Sequence, residues 1–202
     1  MSKIETLAEY QNLAKRTMTD LGSLDKNLIH MTTGYVTELG EVLDPLKKNL
    51  AYGKPLDYVN IGEEFADMTW YVVNWAGLVG VKFDKANEKF KDIHASISAS
   101  FKGILNEEVT ATETEHIIKL IYNNLMLDPE TFEGSSHKLL NQETFLAMLA
   151  VIRVFTEEIF HLDFYRVLTN NINKLKVRYP ENFTYESALN RDLETERTEL
   201  EK

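Results

Sequence analysis

The chain contains no cysteine, which removes disulfides, thiolate nucleophiles and thiolate zinc sites together. A cysteine-free chain suits a reducing cytoplasm, the compartment expected here. Only four prolines and nine glycines occur among 202 residues, leaving room for long helices. Basic residues are the minority, 22 against 32 acidic ones, for a net charge of -10. Such a chain is repelled by phosphate backbones unless its basic residues cluster, so nucleic acid is not an expected partner. Apolar stretches are interrupted by polar residues well before the 18 or more that a membrane span needs, and a membrane is not an expected partner either. The opening Met1-Ser2-Lys3-Ile4-Glu5 has no apolar run of signal-peptide length. Glycine loops of the GxxxxGK[ST] and GxGxxG types are missing, as are HExxH and GxSxG. Any phosphate chemistry must therefore use something other than a glycine cradle.

What is present is helical periodicity nearly throughout. Residues AVILMFWYC make up 44% and charged residues 27%, the mix of a globular domain large enough to bury a core. Ser2 and Glu5 have capping-box spacing, which predicts a first helix to about Leu21. A second is expected from Asp25 or Asn27 to about Leu50, with a kink or new turn at Pro45, where a backbone bond to Glu41 is lost. Further helices are expected at about 59–79, 83–105, 112–127 (capped by Thr112), 142–160 and up to Arg178, ahead of Pro180. Residues 128–140 read as a connector. The charged stretch 184–202 reads as a solvated helix or frayed tail. With no alternating strand pattern, the expected class is all-α, an antiparallel helical bundle, organised as one domain over 1–183 followed by the tail.

A faint internal echo runs through it. Phe65 and Met68 match Phe145 and Met148 at an offset of 80, and one added residue then aligns Val81 and Phe83 with Leu162 and Phe164. Lys89-Phe90-Lys91 is similar to Lys174-Leu175-Lys176. The pattern reads as duplication or as coincidence between amphipathic helices. Under duplication, Thr144 and Ala147 stand where the first copy has Glu64 and Asp67.

Chemistry concentrates in two acidic pairs. Glu38 and Glu41 are three residues apart on one expected helix, and Glu64 and Asp67 have the same spacing on the next. Each pair shares a helix face, and a short loop makes the two helices antiparallel neighbours. An i, i+3 acid pair on a solvated face is commonplace. These pairs, however, are set among Val36, Leu39, Val42 and Leu43, and among Phe65, Met68 and Trp70. Like charges about 4 Å apart at an effective dielectric near 20 repel by about 4 kcal/mol per pair. Four converging carboxylates would have to take up protons or divalent cations, and carboxylate-only sites suit Mg²⁺ or Mn²⁺.

The segment HMTTGYVTELGEVLDPLKKNLAYGKPLDYVNIGEEFADMTWYV, from His30 to Val72, resembles the core of the all-α NTP pyrophosphatases. This MazG-like group also includes the dimeric dUTPases and dCTP pyrophosphatases. The resemblance lies in Glu38-x-x-Glu41 on one helix and Glu64-x-x-Asp67 on the next. NKLKVRYPENF, from Asn173 to Phe183, resembles the family's closing helix and turn, and ALNRDLETER, from Ala188 to Arg197, a tail often seen after it. The blocks cover about half the chain. The sequence departs from the compact family pattern in a helical insertion at about 81–150 and in Pro45.

The resemblance implies hydrolysis of a nucleoside triphosphate, a dNTP by expectation, to monophosphate and pyrophosphate. Glu38, Glu41, Glu64 and Asp67 would be Mg²⁺ ligands, with Glu38 also orienting or deprotonating the attacking water. Lys174 and Arg178, in the matching block, are the expected phosphate clamps together with Asn173. Lys54, with Lys47 and Lys48, flanks the first acidic helix as a further phosphate contact. Tyr71 lies on the face of Asp67, where it, Trp70 or Trp75 could stack a base or pack the core. His30 is a base-contact candidate. A homodimer or a pseudo-dimeric monomer is expected.

Two rival readings stay open. A di-iron carboxylate bundle wants Glu-x-x-His pairs, and the chain has Glu113-x-x-His116 and Glu158-x-x-His161. A helical module binding a partner or nucleotide without turnover also accommodates the insertion and tail.

Overall fold

The computed structural model describes residues 3–108, 114–127 and 140–202, with side chains at 103–108 excepted. The described residues form helices and no strand, as the periodicity requires. The elements are α1 (Leu7–Ala14), α2 (Leu24–Tyr52), α3 (Tyr58–Leu78), α4 (Asn87–Glu108), α5 (Thr114–Asn124), α6 (Gln142–Val154), α7 (Phe164–Arg178), α8 (Tyr185–Leu189) and α9 (Leu193–Leu200). No helix among them is long and apolar enough to cross a membrane.

Side-chain caps set most helix starts. Ser23, Asp57, Asn141 and Asp163 each accept a first-turn amide of the helix that follows. The first helix corrects the sequence expectation. Its capping box is Thr6 with Glu9, while Ser2 of the expected box lies outside the described residues, and it ends at Ala14 in a 3₁₀ turn, Lys15–Thr17, rather than at Leu21. Thr6 wins because Leu7 and Tyr10, both buried, begin the apolar stripe directly after it. Thr17 donates its hydroxyl to the Ala14 carbonyl, competing with the helical ladder where the helix stops. Thr112 and residues 128–139 lie outside the described residues.

Helix α2 runs on through Pro45 without a new helix starting there. Glu41, whose carbonyl loses its donor to proline, is exposed, so water can take the missing bond. The helix stops at Gly53, whose φ of 63° is left-handed and whose amide bonds the Asn49 carbonyl at 2.8 Å. Asp57 then restarts the chain as α3.

The α2–α3 hairpin forms the largest helix interface. Around it, α3 packs against α1, α6 and α7, while α4 lies along α6 and α5 lies on α2. The core contains Trp75 edge-on to Phe145 at 5.5 Å and Phe65 beside Phe155 and Phe160. Helix α6 widens into one π turn, Phe155–Ile159, before the chain reverses into α7. The charged tail is not frayed. It folds into α8 and α9, and α9 packs along α7 with Glu196 only 2% exposed.

Candidate functional site

Close approach of α2 and α3 sets the height of the acids. Gly34 faces the ring of Tyr71, and a Cβ there would lie 2.0 Å from Tyr71 Cε1. Only glycine admits the ring. Glu38 follows one turn later on the same face of α2, and Glu64 and Asp67 precede Tyr71 on the facing side of α3. One carboxylate oxygen each from Glu38, Glu64 and Asp67 falls within 4.8 Å of the others, the arrangement of a possible cation site. Among the described residues this is the group of its kind. The fourth expected acid, Glu41, does not join it. It is exposed and turned toward α5, in a shallow depression with Asp44, Ile118 and Tyr122.

Two devices make the cluster tolerable. The first is protonation. Burial, then the neighbouring Asp67 and Glu63 carboxylates, push Glu64 up to about 9. Burial and Asp67 raise Glu38 to about 7. The contact between the two carboxyls raises Glu64 and lowers Glu38, so a proton held between them favours Glu64, while Asn60 Nδ2 donates to Glu64 Oε1 at 2.5 Å. The second device is an internal ammonium. Lys174, 1% exposed, donates to Asp67 Oδ2 at 2.6 Å and to Glu63 Oε1 at 3.0 Å. Burial alone would lower its pKa, but the two carboxylates more than offset this and hold it above the ordinary lysine value. Lysine therefore takes a role that the charge argument gave to cations or protons alone.

The network continues inward. Asn171 Nδ2 donates to Asp67 Oδ1 at 2.5 Å, and the Tyr10 hydroxyl donates to Asn171 Oδ1 at 2.9 Å beside the Ala66 carbonyl. Both Asp67 oxygens are thus held by α7, and α7 is tied in turn to α1.

Above the acids lies a cavity of about 200 Å³. Glu38 and Asp67 reach it from one side and Arg178 from another, with His30, Trp70, Tyr71, Tyr179 and Phe183 around them. Tyr71 stands edge-on to Trp70 at 5.0 Å and to His30 at 5.9 Å. His30 Nδ1 is buried without a hydrogen-bond partner among the described residues, and burial lowers its pKa. Trp70 Nε1 donates to Thr17 Oγ1 at 3.0 Å.

The expected phosphate ligands divide. Arg178 reaches the cavity. Lys174 is nearby but closed off, its ammonium engaged by Asp67 and Glu63. Asn173 is half-buried and absent from the cavity wall. Lys54 is exposed in the loop beyond Tyr52, about 20 Å along α2 from Glu38 at 1.5 Å per residue. Lys47 and Lys48 pair with Asp44 on the outer face. Trp75 is a core residue.

Sequence reasoning overlooked Asn171, Asn60, Glu63 and Tyr10. Asn171 was within reach: Asn171, Lys174 and Arg178 follow i, i+3, i+7, one helix face, whereas Asn173 is rotated about 200° from Asn171. Of the di-iron candidates, Glu113 lies outside the described residues. Glu158 accepts from Ser98 and pairs with Lys102, and His161 is exposed with a φ of 57° beyond the π turn. Among the described residues no metal-competent group includes them.

Comparison with protein-family models, with curated proteins and with solved structures gives no match.

Proposed function

We propose that the chain hydrolyses a nucleoside triphosphate to a nucleoside monophosphate and pyrophosphate with the help of Mg²⁺ or Mn²⁺. The observation that carries this reading is the convergence of Glu38, Glu64 and Asp67 beside a cavity that also presents the Arg178 guanidinium. The donor set fits a hard divalent cation: it offers carboxylate oxygens only, and the proton that Glu64 shares with Glu38 is what a cation would displace. Glu38, Glu64 and Asp67 would hold the ion; Glu41, on the outer face, would not. A bound divalent ion supplies charge neutralisation for the phosphates and a more acidic water.

The protein's own groups do the rest. Lys174 and Asn171 fix both oxygens of Asp67 and so hold the acids at constant spacing. Glu38, at the cavity wall, orients or deprotonates the attacking water. Arg178 binds phosphate oxygens that do not react. Tyr71 gives the base or sugar an aromatic wall. Reciprocal packing, α3 on α7 and α4 on α6, is the pattern a fused pair of similar halves would give. It favours the pseudo-dimeric monomer over the homodimer.

The test is a panel of ribo- and deoxynucleoside triphosphates assayed with Mg²⁺ for pyrophosphate against phosphate release. Pyrophosphate release from at least one of them, lost in Glu64→Gln and Asp67→Asn, is expected. Full activity in both variants, or no turnover of any nucleotide, overturns the reading.

One observation favours a second reading, a nucleotide-binding module without turnover. Lys174 pairs with both Asp67 and Glu63, so the chain itself compensates part of the cluster's charge. Calorimetry showing no Mg²⁺ or Mn²⁺ uptake, with or without nucleotide, would select that reading.

A further inference from the structure

The tail and the cavity meet at one ion pair. Glu196, on α9 and 2% exposed, accepts from Arg178 Nε at 3.0 Å with Oε1 and from Arg178 Nη2 at 2.5 Å with Oε2. Arg191 Nη2 donates to the same Oε2 at 2.7 Å. A carboxylate gripping Nε and Nη2 holds the guanidinium along its side. That leaves the end-on edge, both N–H groups of Nη1 and one of Nη2, with no hydrogen bond among the described residues. Arg178 lines the cavity that Glu38 and Asp67 also line. Two arginines on one carboxylate leave a net local charge of +1, facing the acids across the cavity.

We propose that Glu196 is a positioning residue: the C-terminal tail holds Arg178 by its side so that the free edge of the guanidinium faces the cavity and takes a phosphate group of an anionic ligand in bidentate fashion. The geometry suits a phosphate, whose two oxygens match the spacing of the fork. A free arginine would have to give up its rotamer freedom on binding; here the tail has already removed it. The same logic gives the tail its buried acid, since a merely solvated tail has no use for one. The role of the bound phosphate as part of a nucleotide rests on the hydrolase reading; the role of Glu196 in anion binding does not.

The experiment uses the full chain with Glu196→Gln, Glu196→Asp and Arg178→Ala, and the double variant Glu196→Gln/Arg178→Ala. Affinity for inorganic tripolyphosphate is measured by calorimetry with and without Mg²⁺, beside circular dichroism and Tm. Turnover, where present, is separated into kcat and KM. Glu196→Gln is expected to weaken tripolyphosphate about tenfold and to raise KM with kcat little changed. Glu196→Asp should recover part of the loss, and Glu196→Gln should add nothing once Arg178 is alanine. A folded Glu196→Gln protein with wild-type tripolyphosphate affinity overturns the inference, as does a wild type that binds no tripolyphosphate under either condition. A protein that binds tripolyphosphate through Glu196 and Arg178 yet hydrolyses no nucleotide upholds the inference and overturns the hydrolase reading. Normal turnover with unchanged KM in Glu196→Gln does the reverse.

Discussion

The Lys174 ammonium sits 2.6 Å from Asp67 and is all but sealed from solvent by the helices around it. It is the internal counterion of the acidic cluster. Replacing it with methionine keeps the bulk and removes the charge, so Asp67 and Glu63 lose their partner while Glu38 and Glu64 stay close. Breaking a buried pair from one side costs about 3–5 kcal/mol. Lys174→Met should therefore lower Tm sharply in metal-free buffer. Saturating Mg²⁺ should recover part of the loss, because a dication can take over the neutralisation. Thermal melts with chelator and with Mg²⁺ make the comparison.

Stability of the metal-free protein should fall as pH rises through neutrality. Glu64 and Glu38 have folded-state values of about 9 and about 7, above the ordinary glutamate value. Between ordinary glutamate titration and about pH 9 the native state binds more protons than the unfolded chain, so stability decreases with pH. Below that window the contribution is complete. A drop of at least about 5 °C in Tm from pH 5.5 to 8.5 is expected, and Glu64→Gln, which has no proton to lose, should flatten the profile. Mg²⁺ affinity should move the other way, rising with pH as protons leave, with proton release visible in calorimetry as a buffer-dependent heat.

Glu41 separates the geometry from the motif. The resemblance makes it a ligand, but it lies exposed on the outer face of α2. Glu41→Gln should keep pyrophosphate release within about threefold of wild type, whereas Glu38→Gln should lose at least about 100-fold, the loss of about 2.7 kcal/mol of transition-state stabilisation. Equal losses in the two variants would put Glu41 back into the site.

Gly34→Ala inserts a methyl group where the Tyr71 ring already stands. The ring must leave the cavity wall or α2 and α3 must part, at a cost of about 1–3 kcal/mol. Tyr71→Ala should absorb most of that cost, so the double variant Gly34→Ala/Tyr71→Ala should be more stable than the sum of the singles predicts. Denaturant unfolding of the four proteins gives the coupling.

The helices were legible because their signals are local. The apolar stripes repeat at helical spacing within each segment, and Gly53 and Pro180 mark ends; the caps that set the starts, Ser23, Asp57, Asn141 and Asp163, were not among the residues the sequence singled out. The acids of the seam were legible for the same reason, as spacing on two adjacent helices. What failed was anything decided across the bundle. Pro45 read as a kink or a new turn because its lost bond is visible in sequence, while the exposure that lets the helix run on is not. Lys174 looked like a phosphate ligand because its burial between α3 and α7 depends on a contact between residues more than 100 positions apart. The tail read as a solvated helix or a frayed end because nothing in its composition announces that Arg178 pairs with Glu196. The echo between halves gains one physical detail: the added residue needed between Met148 and Leu162 falls in the stretch that holds the π turn at Phe155–Ile159, a winding that accommodates one residue more than an α turn.

Asp57 serves two structures at once. It caps the first amides of α3, Val59 and Asn60, and takes both terminal nitrogens of Arg197 from α9 at 3.0 Å. The Arg197 contact is half open to water, whereas Glu196 one residue earlier is enclosed. Ionic strength therefore acts unevenly on neighbouring links: concentrated salt screens the outer one and scarcely touches the inner. The Arg197 side of α9 would loosen first while Glu196 kept its hold, and the helix would behave as a latch with a loose handle and a fixed bolt.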